Sequence, residues 1–394
     1  MIRLFFKTIW NSRRRNILVF IELFMISLVL VNLSVYVINM ITIFRIKNCY
    51  DTHNVVLIQI RKKTDEDEKI SEQAFQNLKK VINSNPFVTA VSICNNAIPY
   101  NYNTWRNEFK HDSDKFDLDP RMADMDYAKV MNIKPLKGRW FNETDLGKEV
   151  ASMTVSLDVE KTDFHGDAIG KRVQYEKKIY EIIGSTDRFK RSDIETPDSF
   201  GFLLKEKTDA KTHWGADILI RTADNKTGDM LAVAERQVYS TLNPENWTID
   251  SLNSLENMHS QQNAENYQRD YLAVIIALFI MINVFLGTIG ILWYNTNLRI
   301  NEIGIKRALG STGKGIKRLL ISENMILAAA GLVIVIIIMV QTPSQIGYGK
   351  LEPGVQSISI WVSTGVMILL VLLSTWIPAT IASKIHPAVA LKTE

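Results

Sequence analysis

Four apolar runs constrain this chain more than anything else in it. Residues 17–44, 271–293 and 357–377 are long and apolar, and residues 325–340 are shorter but almost free of polar groups. A helix needs about 20 mostly apolar residues to cross roughly 30 Å of hydrocarbon. The run at 325–340 reaches that length if its helix starts near Ile321, which places Glu323 at the interface. Four membrane-spanning helices are therefore expected. The averages over 394 residues, 46% hydrophobic and 22% charged, resemble those of a soluble protein and hide this segregation. The first run is longer than the apolar core of a secretory signal and no Ala-x-Ala site follows it, so it reads as an uncleaved anchor.

Basic residues near the spans orient them, because Lys and Arg concentrate on the cytoplasmic side. Arg3, Lys7, Arg13, Arg14 and Arg15 precede the first span with no acid before Glu22. Arg299, Lys306, Arg307, Lys314, Lys317 and Arg318 follow the second against Glu302, and Lys384 and Lys392 follow the last. An even number of spans puts all three segments in the cytoplasm. The expected organisation is a cytoplasmic interfacial helix at 1–16 and spans at 17–44, 270–296, 323–341 and 358–379. An extracytoplasmic domain with a stalk covers 45–269, a cytoplasmic coupling segment 297–322, a short external loop 342–357 and a cytoplasmic tail 380–394. In the interfacial helix, Leu4, Phe5, Ile9 and Trp10 share one face beside Arg3 and Lys7. Acids outnumber bases within 45–269, so the net charge of +4 belongs to the cytoplasmic edges. That excludes a nucleic-acid partner, which would need a basic stripe on the folded domain, and points to membrane lipid and a protein partner instead.

The segment 45–269 alternates strand and helix patterns, giving an α+β domain inserted between the first two spans. Strands are expected at 54–60, 88–93, 153–157, 172–175, 178–183, 200–204, 217–222 and 247–251, and helices at 71–83 and 228–242. A strand-helix-strand unit stands at each end, so the two ends are expected to pack together around a β-rich insert at about 130–205. The charged stretch through Asp119 reads as irregular. Residues 254–269 are polar and run directly into the second span, so a continuous helix would form a stalk. Cys49 and Cys94 both fall in this domain, and the sequence leaves open whether they pair.

No catalytic constellation emerges. His53, His111, His165, His213, His259 and His386 are scattered, without zinc-ligand spacing. The run from Ala308 to Gly315 superficially imitates a phosphate-binding loop, but Ala308 occupies its first Gly position and Gly315 stands where Ser or Thr must reach magnesium. Its better reading is two helices with a Gly corner. Ile300, Ile303 and Ala308 point inward, Gly310 stops the first helix, and Ser311 or Thr312 caps a second that runs to about Ser322. In that second helix Ile316, Leu319 and Leu320 face inward, and Lys314, Lys317 and Arg318 face outward. Polar residues inside the first two spans, Glu22, Asn32, Asn39 and Asn283, read as packing contacts between subunits rather than a transport path.

Within that link, Glu302-Ile303-Gly304-Ile305-Lys306-Arg307-Ala308-Leu309-Gly310 resembles the cytoplasmic signature of the MacB/FtsX-type permeases of ABC transporters. The resemblance extends outward. Gly138-Arg139-Trp140-Phe141 followed by Glu143 and Asp145, then Ile169-Gly170-Lys171 and Ile182-Ile183-Gly184, look like pieces of the MacB-like periplasmic core domain. Glu323 and the C-terminal Pro387-Ala388 with Ala390-Leu391-Lys392 fit the same family. The resemblance implies a multi-pass protein of the bacterial cytoplasmic (inner) membrane, with both termini cytoplasmic and the large domain periplasmic. It also implies a permease without its own ATPase site, binding no cofactor itself. A separate ABC ATPase using ATP and Mg would dock on Glu302 to Gly310. A second permease copy or paralogue would complete a dimer, and a periplasmic adaptor and an outer-membrane exit protein would extend it. The expected function is efflux or extraction of a drug, peptide or lipoprotein. The alternative is an FtsX-like signal relay that senses an external peptide or activates a cell-wall hydrolase. A two-span receptor is disfavoured by the two additional spans.

Overall fold

The computed structural model describes residues 13–63, 68–100, 105–193, 195–197, 199–205, 215–341 and 351–384. The interfacial face at residues 2–10, most of the short loop at 342–350 and the motif from Pro387 to Lys392 lie outside the described residues. The chain falls into two units, Phe44–Tyr267 and Met1–Ile43 with Gln268–Glu394.

Among the described residues, eleven strands form one connected sheet in the first unit. They are β1 (Val55–Lys62), β2 (Val88–Asn95), β3 (Asn107–His111), β4 (Asp114–Ala123), β5 (Pro135–Gly138), β6 (Ala151–Ser156), β7 (Arg172–Tyr175), β8 (Lys178–Thr186), β9 (Phe200–Leu204), β10 (Ala216–Thr222) and β11 (Trp247–Ser254). The near-continuous apolar run Val55-Val56-Leu57-Ile58 makes sense once β1 is seen between β11 and β10, covered on both faces. Val56, Ile58 and Ile60 pack under the helices Glu68–Asn83 and Thr227–Thr241, against Phe75, Leu78, Met230 and Val238. Val55 and Leu57 face a second core containing Tyr127, Phe189, Phe200 and Phe202. The order β11-β1-β10-β2, antiparallel throughout, joins the two end units into a split βαβ arrangement.

The insert between β2 and β10 is a closed ring, β4-β3-β7-β8-β6-β9 and back to β4, with β6–β8 and β4–β9 parallel. Closure leaves these strands no long open edge. Phe109, Leu118, Met153, Val155, Val173 and Ile182 fill its interior. The insert therefore begins near residue 107 rather than 130, and the charged stretch expected to be irregular is the hairpin β3–β4. Its strands alternate: Phe109 and Leu118 point in, while Glu108 and Lys115 pair across the outer face at 3.0 Å. A strand with a solvated outer face carries its charges there, which dilutes the apolar signal.

The segment from Gly138 to Asp145 staples β5 to the rest of the insert. Gly138 adopts φ +67°, and a Cβ there would lie 2.2 Å from the Ile183 carbonyl oxygen. Arg139 donates from both terminal nitrogens to the fully buried Asp145, at 2.5 and 2.7 Å. Lys148, Ser152 and the Asn142 backbone N–H complete the shell around that carboxylate. The glycines and acids of this segment are thus turn and scaffold residues. Cys49 and Cys94 are free thiols, Cys94 fully buried.

Among the described residues, four helices are long and apolar enough to cross a membrane: span 1 within Arg13–Arg45, span 2 within Leu255–Asn297, span 3 within Gly313–Gln341 and span 4 within Val355–Ser383. Span 1 packs Val19, Leu23, Ile26 and Leu30 against Leu327, Ala328, Met367 and Val371 of spans 3 and 4. Gly331 makes the approach possible, since a Cβ there would sit 3.1 Å from the Phe24 Cα. The helix that carries span 2 has 43 residues, about 65 Å at 1.5 Å per residue, twice the hydrocarbon thickness. Its polar first part and apolar second part are one continuous helix. Within span 1 and span 2, the Asn32 and Asn283 amides donate to the carbonyls of Leu28 and Phe279 in their own helices, each at 2.7 Å.

Candidate functional site

The short helix Ile300–Ala308 sits between spans 2 and 3. Glycine ends it: Gly310 takes φ +97°, the Ser311 N–H bonds the Lys306 carbonyl at 3.0 Å, and the Gly310 N–H bonds that of Arg307 at 3.1 Å. This pair of bonds is the Schellman stop that a left-handed residue permits. Thr312 Oγ1 then accepts from the Gly315 N–H at 3.2 Å and starts the next helix. That helix does not end near Ser322 but continues as span 3, because nothing between Ile321 and Met325 interrupts its backbone bonding.

Ile303 is the root of the corner. It packs with Ile316 and Leu320 of span 3 and with Ala379 and Ala382 at the end of span 4. Gly304 is buried beside it and Ile300 half-buried. Ala308, expected to point inward, is exposed. Five residues beyond Ile303 it has turned about 140° away at 3.6 residues per turn. Ile305 is 50% exposed and Leu309 83% exposed, so two apolar side chains project from a segment otherwise rich in charge. Lys314 and Arg318 are exposed on the adjoining turn, and Ile316 and Leu320 are buried, with Leu319 half-buried. Lys317 does not extend into solvent: its ammonium lies 3.2 Å from the centre of the Trp376 ring. Arg307 is partly buried near the end of span 4, since a Cβ added at Gly313 would meet both its Nη1 at 3.1 Å and the Ser383 carbonyl oxygen at 3.0 Å. A cation there complements the negative end of the helix dipole.

Charge is arranged in a chain beneath this surface. Arg299 is 5% exposed and forks onto both carboxylate oxygens of Glu323, with the Oε1 contact at 3.2 Å. Its Nε reaches Glu302 Oε2 at 3.2 Å, and Lys306 binds Glu302 Oε1 at 3.0 Å. Burial pushes the Glu302 carboxyl up, but hydrogen bonds from Arg299 and Lys306 outweigh it and hold it at about 2. Burial disfavours the Arg299 cation, yet its bonds to Glu323 and Glu302 raise it above the ordinary guanidinium value. The pairing of Arg299 with Glu323 and the contribution of span 4 are what sequence reading misses. Both charges are visible at the span edges, but 24 positions separate them and no periodicity links them. The arrangement offers no nucleophile with a base beside it. Among the described residues, no group of three His, Cys, Asp or Glu side chains is placed to hold a metal ion. What it offers is an exposed apolar group, Ile305, Ala308 and Leu309, on a segment that also carries Lys306, Lys314 and Arg318.

Residues 24–236 match the MacB-like periplasmic core domain family and residues 274–387 the FtsX-like permease C-terminal family. The macrolide export ATP-binding/permease protein MacB of Wolinella succinogenes is 24% identical over 280 residues, covering 68% of this chain and 42% of that protein. Its counterpart from Neisseria gonorrhoeae is 24% identical over 214 residues, covering 52% and 33%. The chain thus spans about two fifths or less of the length of these relatives. Among solved structures, the periplasmic region of MacB from Actinobacillus actinomycetemcomitans aligns with a TM-score of 0.38 at 12% identity, over 55% of this chain and 94% of that one. The extracellular domain of the noncanonic ABC-type transporter YknZ from Gram-positive bacteria aligns at 0.35 and 16%, over 50% and 100%.

Proposed function

The chain belongs to the MacB/FtsX-type permeases of ABC transporters, and from that premise we propose that it is a permease subunit coupling ATP hydrolysis on a separate ATPase to movement of its large α+β domain. The observation that carries this reading is the helix Ile300–Ala308, which exposes Ile305 and Leu309 while anchored through Ile303 to spans 3 and 4. Exposed apolar side chains at the centre of a charged rim are the usual composition of a protein–protein contact. The positive-inside distribution supports a cytoplasmic position for this face and both termini, with the α+β domain on the periplasmic side. ATP and Mg then belong to the ATPase, and the work done is efflux or extraction of a drug, peptide or lipoprotein. A second permease copy or paralogue completes the assembly, and an adaptor with an outer-membrane exit protein extends it.

Affinity capture of the detergent-solubilised protein from its native membrane tests this. An ABC ATPase is expected to co-purify, and Leu309→Glu is expected to reduce its recovery at least about tenfold, the loss of one well-packed interface anchor, with membrane insertion unchanged. Recovery of the ATPase at the wild-type level from Leu309→Glu would refute docking on this face. Directional movement of substrate in vesicles is expected once the ATPase is added, and capture of a cell-wall hydrolase without such movement would replace transport with signalling.

A further inference from the structure

We infer that Arg299 and Glu323 are positioning residues that join the docking helix and span 3 into one lever, an inference that rests on the docking reading above. The helix Ile300–Ala308 is tied to span 3 at both ends. At its C-terminal end the tie is the chain itself, the tight corner from Gly310 to Gly313. At its N-terminal end the tie is the Arg299 fork onto Glu323, with side-chain exposures of 5% and 9%. Between these, Ile303 seats on Ile316 and Leu320. Helix, corner and first turns of span 3 thus form a closed loop of side-chain and main-chain contacts.

The tie to span 2 is different in kind. Span 2 ends at Asn297, and Leu298, which leads from it into the docking helix, is 56% exposed. The apolar window of span 2 is mostly exposed within the chain, with Leu292 packed into the cluster of spans 1, 3 and 4, whereas span 3 is bound to span 4 through Asn324 with Thr375 and through Ile316 and Leu320 with Ala379 and Ala382. A displacement applied at Ile305 and Leu309 therefore turns the helix together with spans 3 and 4, and span 2 follows through the turn at Leu298. A bidentate guanidinium–carboxylate pair suits this task, because its planar fork resists rotation as well as separation. Glu302 holds the opposite side of the guanidinium and Lys306 holds Glu302, so the fork cannot swing without breaking a second pair.

The test uses the full chain with its ATPase in proteoliposomes, comparing wild type with Arg299→Gln, Glu323→Gln and the exchanged pair Arg299→Glu with Glu323→Arg. The single variants are expected to capture the ATPase at near wild-type level but to lose at least about tenfold of the permease-coupled hydrolysis, since each leaves a buried charge without its partner. The exchanged pair, which sets a carboxylate beside Glu302, is expected to recover only part of it. A second readout does not depend on the ATPase. Spin labels at the exposed positions Asn301 and Arg318 are expected to give one narrow distance distribution in wild type that broadens in Glu323→Gln. Coupled hydrolysis at the wild-type level in both single variants, or an unchanged distribution in Glu323→Gln, would overturn the lever. If the wild-type chain holds no ATPase, the docking reading fails instead, and the distance distribution alone decides for or against the lever.

Discussion

Asp145 shows what a single residue does in this fold. A carboxylate with no exposure to solvent is tolerated because Arg139, Lys148, Ser152 and the Asn142 N–H surround it. The Arg139 hydrogen bonds, helped by those of Lys148, Asn142 and Ser152 against the opposing effect of burial, hold its pKa well below the usual carboxylate range. A depressed folded-state value means that the ionised carboxylate stabilises the fold above the unfolded value of about 3.9 and that this contribution fades as pH falls below it. Asp145→Asn is accordingly expected to destabilise the protein by about 2 kcal/mol at pH 7, discounted because Arg139 is partly solvated. The difference from wild type is expected to shrink between about pH 4 and pH 2. Thermal unfolding of the two proteins across that range checks both statements; a pH-independent difference would mean that the shell matters by shape rather than charge.

At the level of elements, the helices of the second unit meet through absence of side chain as much as through its presence. Gly331 lets span 3 reach the backbone of span 1 at Phe24, with no room for a methyl group unless a backbone shifts. Gly331→Leu is expected to force spans 1 and 3 apart and destabilise the unit by about 1–3 kcal/mol, the usual penalty of overpacking. The loss is to be read as a lower midpoint of unfolding in detergent. All four spans were legible in the sequence as apolar runs because a lipid solvent demands that composition. The short helix Ile300–Ala308 was legible for another reason. Gly310 and Thr312 are local stop and start signals that work without tertiary help. The hairpin β3–β4 was not legible, since its charges are solvated on one face and its apolar residues face a barrel that only distant strands close.

For the whole molecule, an even number of spans makes one strong commitment about topology. A reporter inserted near residue 150 is expected to be accessible only from outside the cytoplasmic membrane, and one fused after Lys392 only from within. A signal from inside at residue 150 would reverse the orientation and remove the docking face from the reach of any cytoplasmic ATPase. The 43-residue helix, polar at its start and apolar at its end, carries the chain from the first unit into the second without a break.

What the sequence by itself determined here is what short-range physics controls. Apolar length marks which segments are able to span lipid, and the period of the hydrophobic pattern marks most strands and helices. The recurring strand-helix-strand unit was enough to expect that the two ends of the domain pair. Tertiary structure alone decided the ring order of the insert, the burial of Asp145 beside Arg139, and the seating of Ile303 between spans 3 and 4. It also brought Arg299 onto Glu323. These depend on contacts between residues far apart in the chain, where closure by packing selects one partner among many of the same chemical type. Local pattern cannot rank those partners, because each charged residue looks equally able to remain in water until the fold removes the water.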